Sequence, residues 1–360
     1  MKKTWSDGVV ESWNIGSNRL KAPLQYSNTP IPLKRLTLCL SLCALLYALC
    51  LPAEAQQGKK IWRIGFLSSV SPGPSAHLWA AFLQGLRDAG YVEGQNVRVE
   101  PRWAGGKAER LPELAAELVR LEVDVIVSTG GTVTAFAAKN ATTSIPIVFT
   151  VGGDLVKLGL IAGLARPGGN LTGLSLLTSE LNSKRLELLK ETIPALRRAG
   201  VIGNPSNPNY AIHLNETQAA AKQFGLQLYV QEARSRSDIS TVFSTLADKK
   251  VGALLVLSDP MLNADRQRIA DLAIETRLPA IYEFKEFVEA GGLMSYGTDI
   301  VAVYRRLGIY IDKIFKGTKP SELPVEQPTK FDLVVNLKTA KQIGLTMPPN
   351  VLARADRVIK

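Results

Sequence analysis

The sequence predicts an α/β protein of two doubly wound, Rossmann-like lobes, each a parallel sheet covered by helices, joined by hinge crossovers. Three observations predict it. Short apolar runs alternate with helical patterns from Ile61 onward, and such alternation marks parallel sheets. The pattern begins afresh after Gly173, beyond the Pro/Gly-rich passage ARPGGNLTGLSL at 165 to 176. A proline-punctuated segment, TKPSELPVEQPTKF at 318 to 331, then leads to a further strand, so the chain crosses between the halves more than once.

In the first half, IWRIGFLS (61 to 68) reads as a strand and HLWAAFLQGLRDAG (77 to 90) as a helix stopped by glycine. NVRVEPRWA (96 to 104) alternates with the period of a strand, and AERLPELAAELVRLEV (108 to 123) carries the apolar stripe of an amphipathic helix. DVIVST (124 to 129), the helix TVTAFAAKNA (132 to 141) and the buried strand IPIVFT (145 to 150) follow. In the second half the helices are 179 to 193, 209 to 225, 237 to 250, 263 to 277 and 301 to 317. The strands are 199 to 205, 226 to 233, 251 to 259 and 278 to 284, with DLVVNLKTAKQIG (332 to 344) as a last strand and short helix.

The amino-terminal region reads differently. Residues 1 to 29 have no clear apolar periodicity and are read as an upstream extension foreign to the native chain. Residues 30 to 55 place Lys34-Arg35 before an apolar run from Leu36 to Leu51, with the small-x-small signal Ala53-Glu54-Ala55 before Gln56. The run falls short of the roughly 20 residues a spanning helix needs, so the segment reads as a cleaved secretory signal peptide and predicts a periplasmic protein. All three cysteines, Cys39, Cys43 and Cys50, lie in that run, which leaves the remaining chain without a disulfide or thiolate metal site. The lobes are expected at 56 to 172 and 173 to 317, with 318 to 360 as the hinge-crossing segment and terminal strand and helix.

Composition excludes several functions. Lys and Arg number 43 against 32 Asp and Glu, but the charges are scattered and aromatics are not interleaved with them. No nucleic-acid footprint follows, only a mild attraction for anions. The two histidines, His77 and His213, fall on different helices in different halves. There is no nucleophile elbow, zinc-binding HExxH, Walker A sequence or dinucleotide fingerprint. The sequence therefore predicts no enzyme, no cofactor and no metal.

One motif does point to a ligand. DVIVSTGGTVTAFAAK (124 to 139) runs from a strand through a glycine turn into a helix, which aims free N–H groups and the positive dipole end at whatever lies in front. A phosphate, a carboxylate or no ligand at all is compatible with that geometry.

STGGTVTAFAAK, IPIVFT, GGDLVKLGLIAGLARPGGNLTGLS, LPAIYEFKEFVEAGGLMSYGTD and KGTKPSELPVEQPTKFDLVVNLKTAKQIGL together resemble the substrate-binding proteins of ABC importers. The resemblance runs from Trp62 to Lys360 and is to the type I periplasmic binding fold, in the family of the tryptophan/tyrosine-binding lipoproteins. Leu155 departs from it, standing where the family has Pro in a Gly-Asp-Pro-Val turn. The resemblance implies a monomer that holds a small molecule, first an aromatic or branched amino acid, between its lobes. It would deliver that ligand to an ABC permease in the inner membrane. A ligand-sensing regulatory or receptor module of the same fold is the alternative use.

It also implies that strand-end loops hold the ligand. In the first lobe these are Ser68 and Ser69, then Thr129, Gly130 and Thr132 for a carboxylate, then Thr150 and Asp154. In the second they are Asn204 and Asp259, with Asp259 as partner for an ammonium group, and Tyr282 and Tyr296 as an aromatic wall. Each has a structural rival: a turn or helix cap for the Ser, Thr, Asn and Asp residues, core packing for the tyrosines.

Overall fold

The computed structural model describes residues 60 to 360; the leader and the upstream extension lie outside them. Five parallel strands form the first sheet in the order β2-β1-β3-β4-β5. They are β1 (Trp62–Ser68), β2 (Val97–Trp103), β3 (Val125–Thr129), β4 (Ile147–Val151) and β5 (Leu171–Ser175). β3 and β4 are buried at every position, because a parallel strand covered on both faces needs a continuous apolar run rather than alternation. Helices α1 (Ala76–Asp88), α2 (Leu111–Arg120) and α3 (Thr132–Ala141) follow the first three strands.

The second sheet has seven strands in the order β12-β11-β10-β9-β8-β6-β7. Its strands are β6 (Arg198–Gly203), β7 (Gln227–Glu232), β8 (Ala253–Val256), β9 (Ala280–Tyr282), β10 (Met294–Gly297), β11 (Asp332–Asn336) and β12 (Arg357–Ile359). α4 (Asn182–Thr192) precedes them, and between them lie α5 (Tyr210–Gln223), α6 (Asp238–Asp248), α7 (Pro260–Ala264), α8 (Arg266–Glu275) and α9 (Lys285–Glu289). The chain continues through α10 (Ile300–Phe315), α11 (Leu337–Gln342) and α12 (Pro349–Leu352).

Three features depart from the sequence reading. β5 lies inside the passage read as a connector, and it completes the first sheet by pairing with β4 in parallel register. α10, placed by the sequence in the second lobe, packs instead on the first: Val303, Tyr304, Leu307 and Ile311 share a buried cluster with Ile64, Phe66, Phe82 and Leu86. Glycines permit the crossing of α1 and α10, since a Cβ on Gly85 would collide with the Arg305 carbonyl and one on Gly308 with the Gly85 carbonyl. Finally, β11 runs antiparallel to β10.

The chain therefore changes lobes three times. It leaves β5 for α4, leaves β10 for α10, and returns to β11 after residues 323 to 326 have run along β5. That third segment is fixed by Ser175 N donating to Glu326 O at 2.8 Å and Thr172 Oγ1 to Leu323 O at 2.7 Å. At the first two crossings Thr298 Oγ1 donates to Leu176 O at 3.2 Å, tying the two segments together. Three crossings limit the lobes to a hinge-like relative motion.

Topology also fixes where a site can form. In the first sheet β1 lies between β2 and β3, and in the second β6 lies between β7 and β8. The crevice beyond the carboxyl ends at such a switch point is where open α/β sheets bind ligands. Ser68-Ser69 and the Gly130 turn end β1 and β3; Asn204 and Ser258-Asp259 follow β6 and β8.

Candidate functional site between the lobes

The Gly130-Gly131 turn has φ of 78° and 99°, a left-handed conformation that glycine adopts without strain. A Cβ on Gly130 would also stand 2.6 Å from Ser69 Oγ, and one on Gly131 2.9 Å from Pro260 Cγ of the opposite lobe. The two lobes thus touch at Gly131 and Pro260, with a cavity on each side; Val70, Pro260 and Ala264 border both.

The cavity on the hinge side encloses about 720 Å³, part of it open to solvent. Its walls are largely apolar, with Leu78 from α1, Phe284 and Phe287 around α9, and Ile300 and Tyr304 from α10. Gly130, Thr150, Ser258, Asn263, His77, Arg266 and Glu286 supply the polar groups. Glu286 stands out. It is 8% exposed, and neither carboxylate oxygen has a hydrogen-bond partner among the described residues. Its neighbour Lys285 is committed to Asp299 at 2.7 Å. Burial pushes the Glu286 carboxyl up to about 7, opposed only in part by its own backbone N–H and then by the Lys285 cation.

Opposite charge lies in the same cavity. The Arg266 guanidinium reaches across the cleft to Pro74 O at 3.3 and 3.2 Å. His77 is held below its ordinary value by burial and then by the Arg266 cation. Tyr304, raised by burial, stands beside the Thr129 and Thr150 hydroxyls and the Gly130 N–H. The Thr129 and Ser68 hydroxyls, buried behind the turn, have no partner among the described residues.

The outer hollow is wider and more polar, bordered by Ser69, Lys107, Thr132, Asn204, Arg234, Arg236 and Asp259. Here the polar groups largely satisfy one another. Asp259 caps α7, accepting from Met261 N and Leu262 N at 2.9 and 3.1 Å, and from Asn204 and Asn207 Nδ2 at 3.2 and 3.1 Å. Arg236 pairs with Asp265 at 2.8 Å and Arg234 with Glu232 at 2.8 Å. Thr132 Oγ1 accepts from Asn209 Nδ2 of the opposite lobe at 2.6 Å.

The structure thus divides the residues that the sequence singled out. Gly130 and Thr150 line the hinge-side cavity; Ser69, Thr132, Asn204 and Asp259 line the outer hollow. Ser68 and Thr129 back the turn. Asp154 borders neither space: it accepts from Val156 N and Lys157 N and pairs with Lys157, closing its own turn. Tyr282 is fully buried in the second lobe, stacked on Phe287 at 4.4 Å. Tyr296 packs against Phe331, and its carbonyl accepts from Arg185 Nε at 2.8 Å. The expected aromatic wall is formed instead by Phe284, Phe287 and Tyr304. His77, Leu78, Asn263, Arg266, Glu286 and Ile300 complete the cavity, and none of these was singled out as a ligand contact.

The family described as ABC transporter substrate binding protein matches residues 66–359. The chain belongs to that family. Its members are binding proteins rather than enzymes, and its fold is that of the type I periplasmic binding proteins. The chain is 28% identical over 266 residues to a tyrosine-binding protein of Clostridioides difficile, covering 73% of this chain and 75% of that one.

Two solved structures superpose on 83% of the chain at 26% identity. The ABC domain from Streptococcus pneumonia in complex with L-Trp, covered to 99%, gives a TM-score of 0.76. The ligand-free, open structure of a substrate-binding protein with adhesive properties from Clostridium difficile, covered to 100%, gives 0.61. At equal identity and coverage, this family member lies nearer the L-Trp complex. The bonds across its cleft agree: Arg266 to Pro74, and Asn209 to Thr132.

Proposed function

We propose that this substrate-binding protein is exported and holds an amino acid with an aromatic or branched side chain in the hinge-side cavity. It would act as a monomer and hand the ligand to the permease of an ABC importer. The observation that carries the reading is Glu286, a buried carboxylate left without a partner in an apolar cavity. A buried charge is tolerated when a counter-charge meets it, and a ligand ammonium group supplies one.

The remainder of the cavity suits the remainder of an amino acid. Arg266, the N–H groups opening α3 and the Thr150 hydroxyl offer a carboxylate its donors. Leu78, Phe284, Phe287 and Ile300 offer an apolar side chain its contacts. A ligand touching both lobes stabilises the closed arrangement, and only that arrangement would present both lobes together to the permease. The L-Trp complex and the tyrosine-binding protein named above favour an aromatic side chain.

A thermal-shift screen of amino acids, purines, sugars and organic acids tests this. An amino acid at 100 times its dissociation constant adds about 2.7 kcal/mol of stability. A shift produced only by sugars or purines would reject the amino-acid reading. Amino-terminal sequencing of the exported protein checks the leader, with Gln56 expected as the first residue.

A further inference from the structure

Asn209 is a second-lobe side chain that borders neither cavity and reaches the first lobe. It lies in the loop between β6 and α5, 4% exposed. Its amide nitrogen donates to Thr132 Oγ1 at 2.6 Å and to Gly152 O at 2.9 Å, so both its protons are used across the cleft. Thr132 opens α3 and Gly152 follows β4. One amide thereby bridges the start of α3, next to the Gly130 turn, and the end of β4, which carries Thr150; both Gly130 and Thr150 line the hinge-side cavity.

The surroundings are shaped for this contact. Asn209 N is itself fixed by Asn207 Oδ1 at 3.0 Å. Gly153, at φ 85°, lies directly against the amide, where a Cβ would collide with it. The Thr132 hydroxyl is 1% exposed. These bonds join groups on different lobes, so they can form only when the lobes are together.

We propose that Asn209 is a positioning residue for ligand capture: its amide locks the closed arrangement by joining the Thr132 hydroxyl and the Gly152 carbonyl, without touching the ligand. The inference rests on the lobe-closing part of the proposed function and is independent of which solute binds. It also reassigns Thr132, whose hydroxyl serves lobe closure rather than a ligand carboxylate.

The test is a double-mutant cycle of Asn209→Ala and Thr132→Val, titrated with L-tryptophan and L-tyrosine as probes and followed by small-angle scattering with and without them. Asn209→Ala is expected to weaken binding about tenfold and Thr132→Val several-fold, the scale of lost hydrogen bonds. The loss is expected in faster dissociation, with association unchanged. The double variant is expected to match Asn209→Ala, because both changes remove the same bond, and to be less compact than wild type. A full additional loss from Thr132→Val in the Asn209→Ala background would make Thr132 a direct ligand contact and overturn the proposal. Wild-type affinity and superimposable scattering in Asn209→Ala would overturn it too. Thr132→Val is near-isosteric and keeps the test available if Asn209→Ala fails to fold. If neither probe binds wild type, the amino-acid reading is damaged, but scattering of the free proteins still decides: a more open Asn209→Ala supports the closure role, and identical profiles reject it.

Discussion

The two sides of the cleft use polar residues in opposite ways. In the outer hollow Asp259 has four donors, and Thr132 and Arg236 are paired; these groups hold the protein to itself. On the hinge side Glu286 is also buried, though slightly more exposed at 8% against 3%, and neither of its oxygens has a partner among the described residues. Buried polar groups are nearly always hydrogen-bonded, and among the described residues Glu286 is the buried carboxylate with both oxygens orphaned, which makes it the candidate for a ligand to complete. The difference teaches that, between two buried carboxylates beside one cleft, satisfaction of hydrogen bonds separates scaffold from candidate site where residue type does not.

The largest effect should follow from truncating the orphan. Glu286→Ala is expected to weaken amino-acid binding by about 3 kcal/mol, more than a hundredfold by calorimetry, while leaving the ligand-free protein at least as stable. Equal affinity would erase the contrast between the two sides.

Acidity sharpens it next. Burial raises Glu286 from 4.5 to about 7, so the folded protein binds more protons than the unfolded chain between those values. Its contribution to stability is present below pH 4.5 and lost as pH rises through about 7, with a slope of up to ~1.4 kcal/mol per pH unit. His77 and His213, both lowered chiefly by burial, act with the opposite sign as pH falls through 6.5. The difference between wild type and Glu286→Gln in denaturant midpoints across pH isolates the carboxyl. Binding of a zwitterion should weaken below pH 7 in wild type, because the carboxylate must be ionised to meet the ammonium group.

Smaller effects should sort by side. Asp259→Ala removes a cap and is expected to cost about 1 to 2 kcal/mol of stability, read by chemical denaturation, with affinity changed less than about threefold. Leu78→Ala should reverse the pattern: about tenfold weaker binding of an aromatic ligand from lost apolar contact, with a minor change in melting. Asp154→Ala should alter neither affinity nor stability beyond about 0.5 kcal/mol.

Much of the scaffold was legible because local chemistry decides it. The helix expected at 132 to 141 is α3 residue for residue, opened by a glycine turn whose positive φ no other residue adopts as easily. β5 was not legible: LTGLS is short, carries Gly173 at φ 154°, and sits among Pro and Gly signals that elsewhere mean loop. The pattern of α10 predicted a helix correctly but carried no information on which lobe it would cover, since the Gly85 and Gly308 contact is non-local.

The candidate site was half legible for the same reason. Switch-point turns announce themselves by glycine and hydroxyl residues, and Gly130 and Thr150 do face the cavity. Asp259 reads as an ammonium partner and Asp154 as a ligand contact because a cap or turn and a ligand contact call for the same acceptor. Glu286 lies in KEFVE, a segment whose charged residues give no sequence signal of burial. Only the structure shows its burial beside Phe287 and Val288.

The most direct test is an X-ray structure of the protein with the amino acid that stabilises it. The ligand is expected between the lobes on the hinge side, its ammonium nitrogen within hydrogen-bond reach of a Glu286 oxygen and its side chain against Leu78 and Phe284. A ligand seated in the outer hollow among Asn204, Arg234 and Arg236, with Glu286 still unpartnered, would contradict the account.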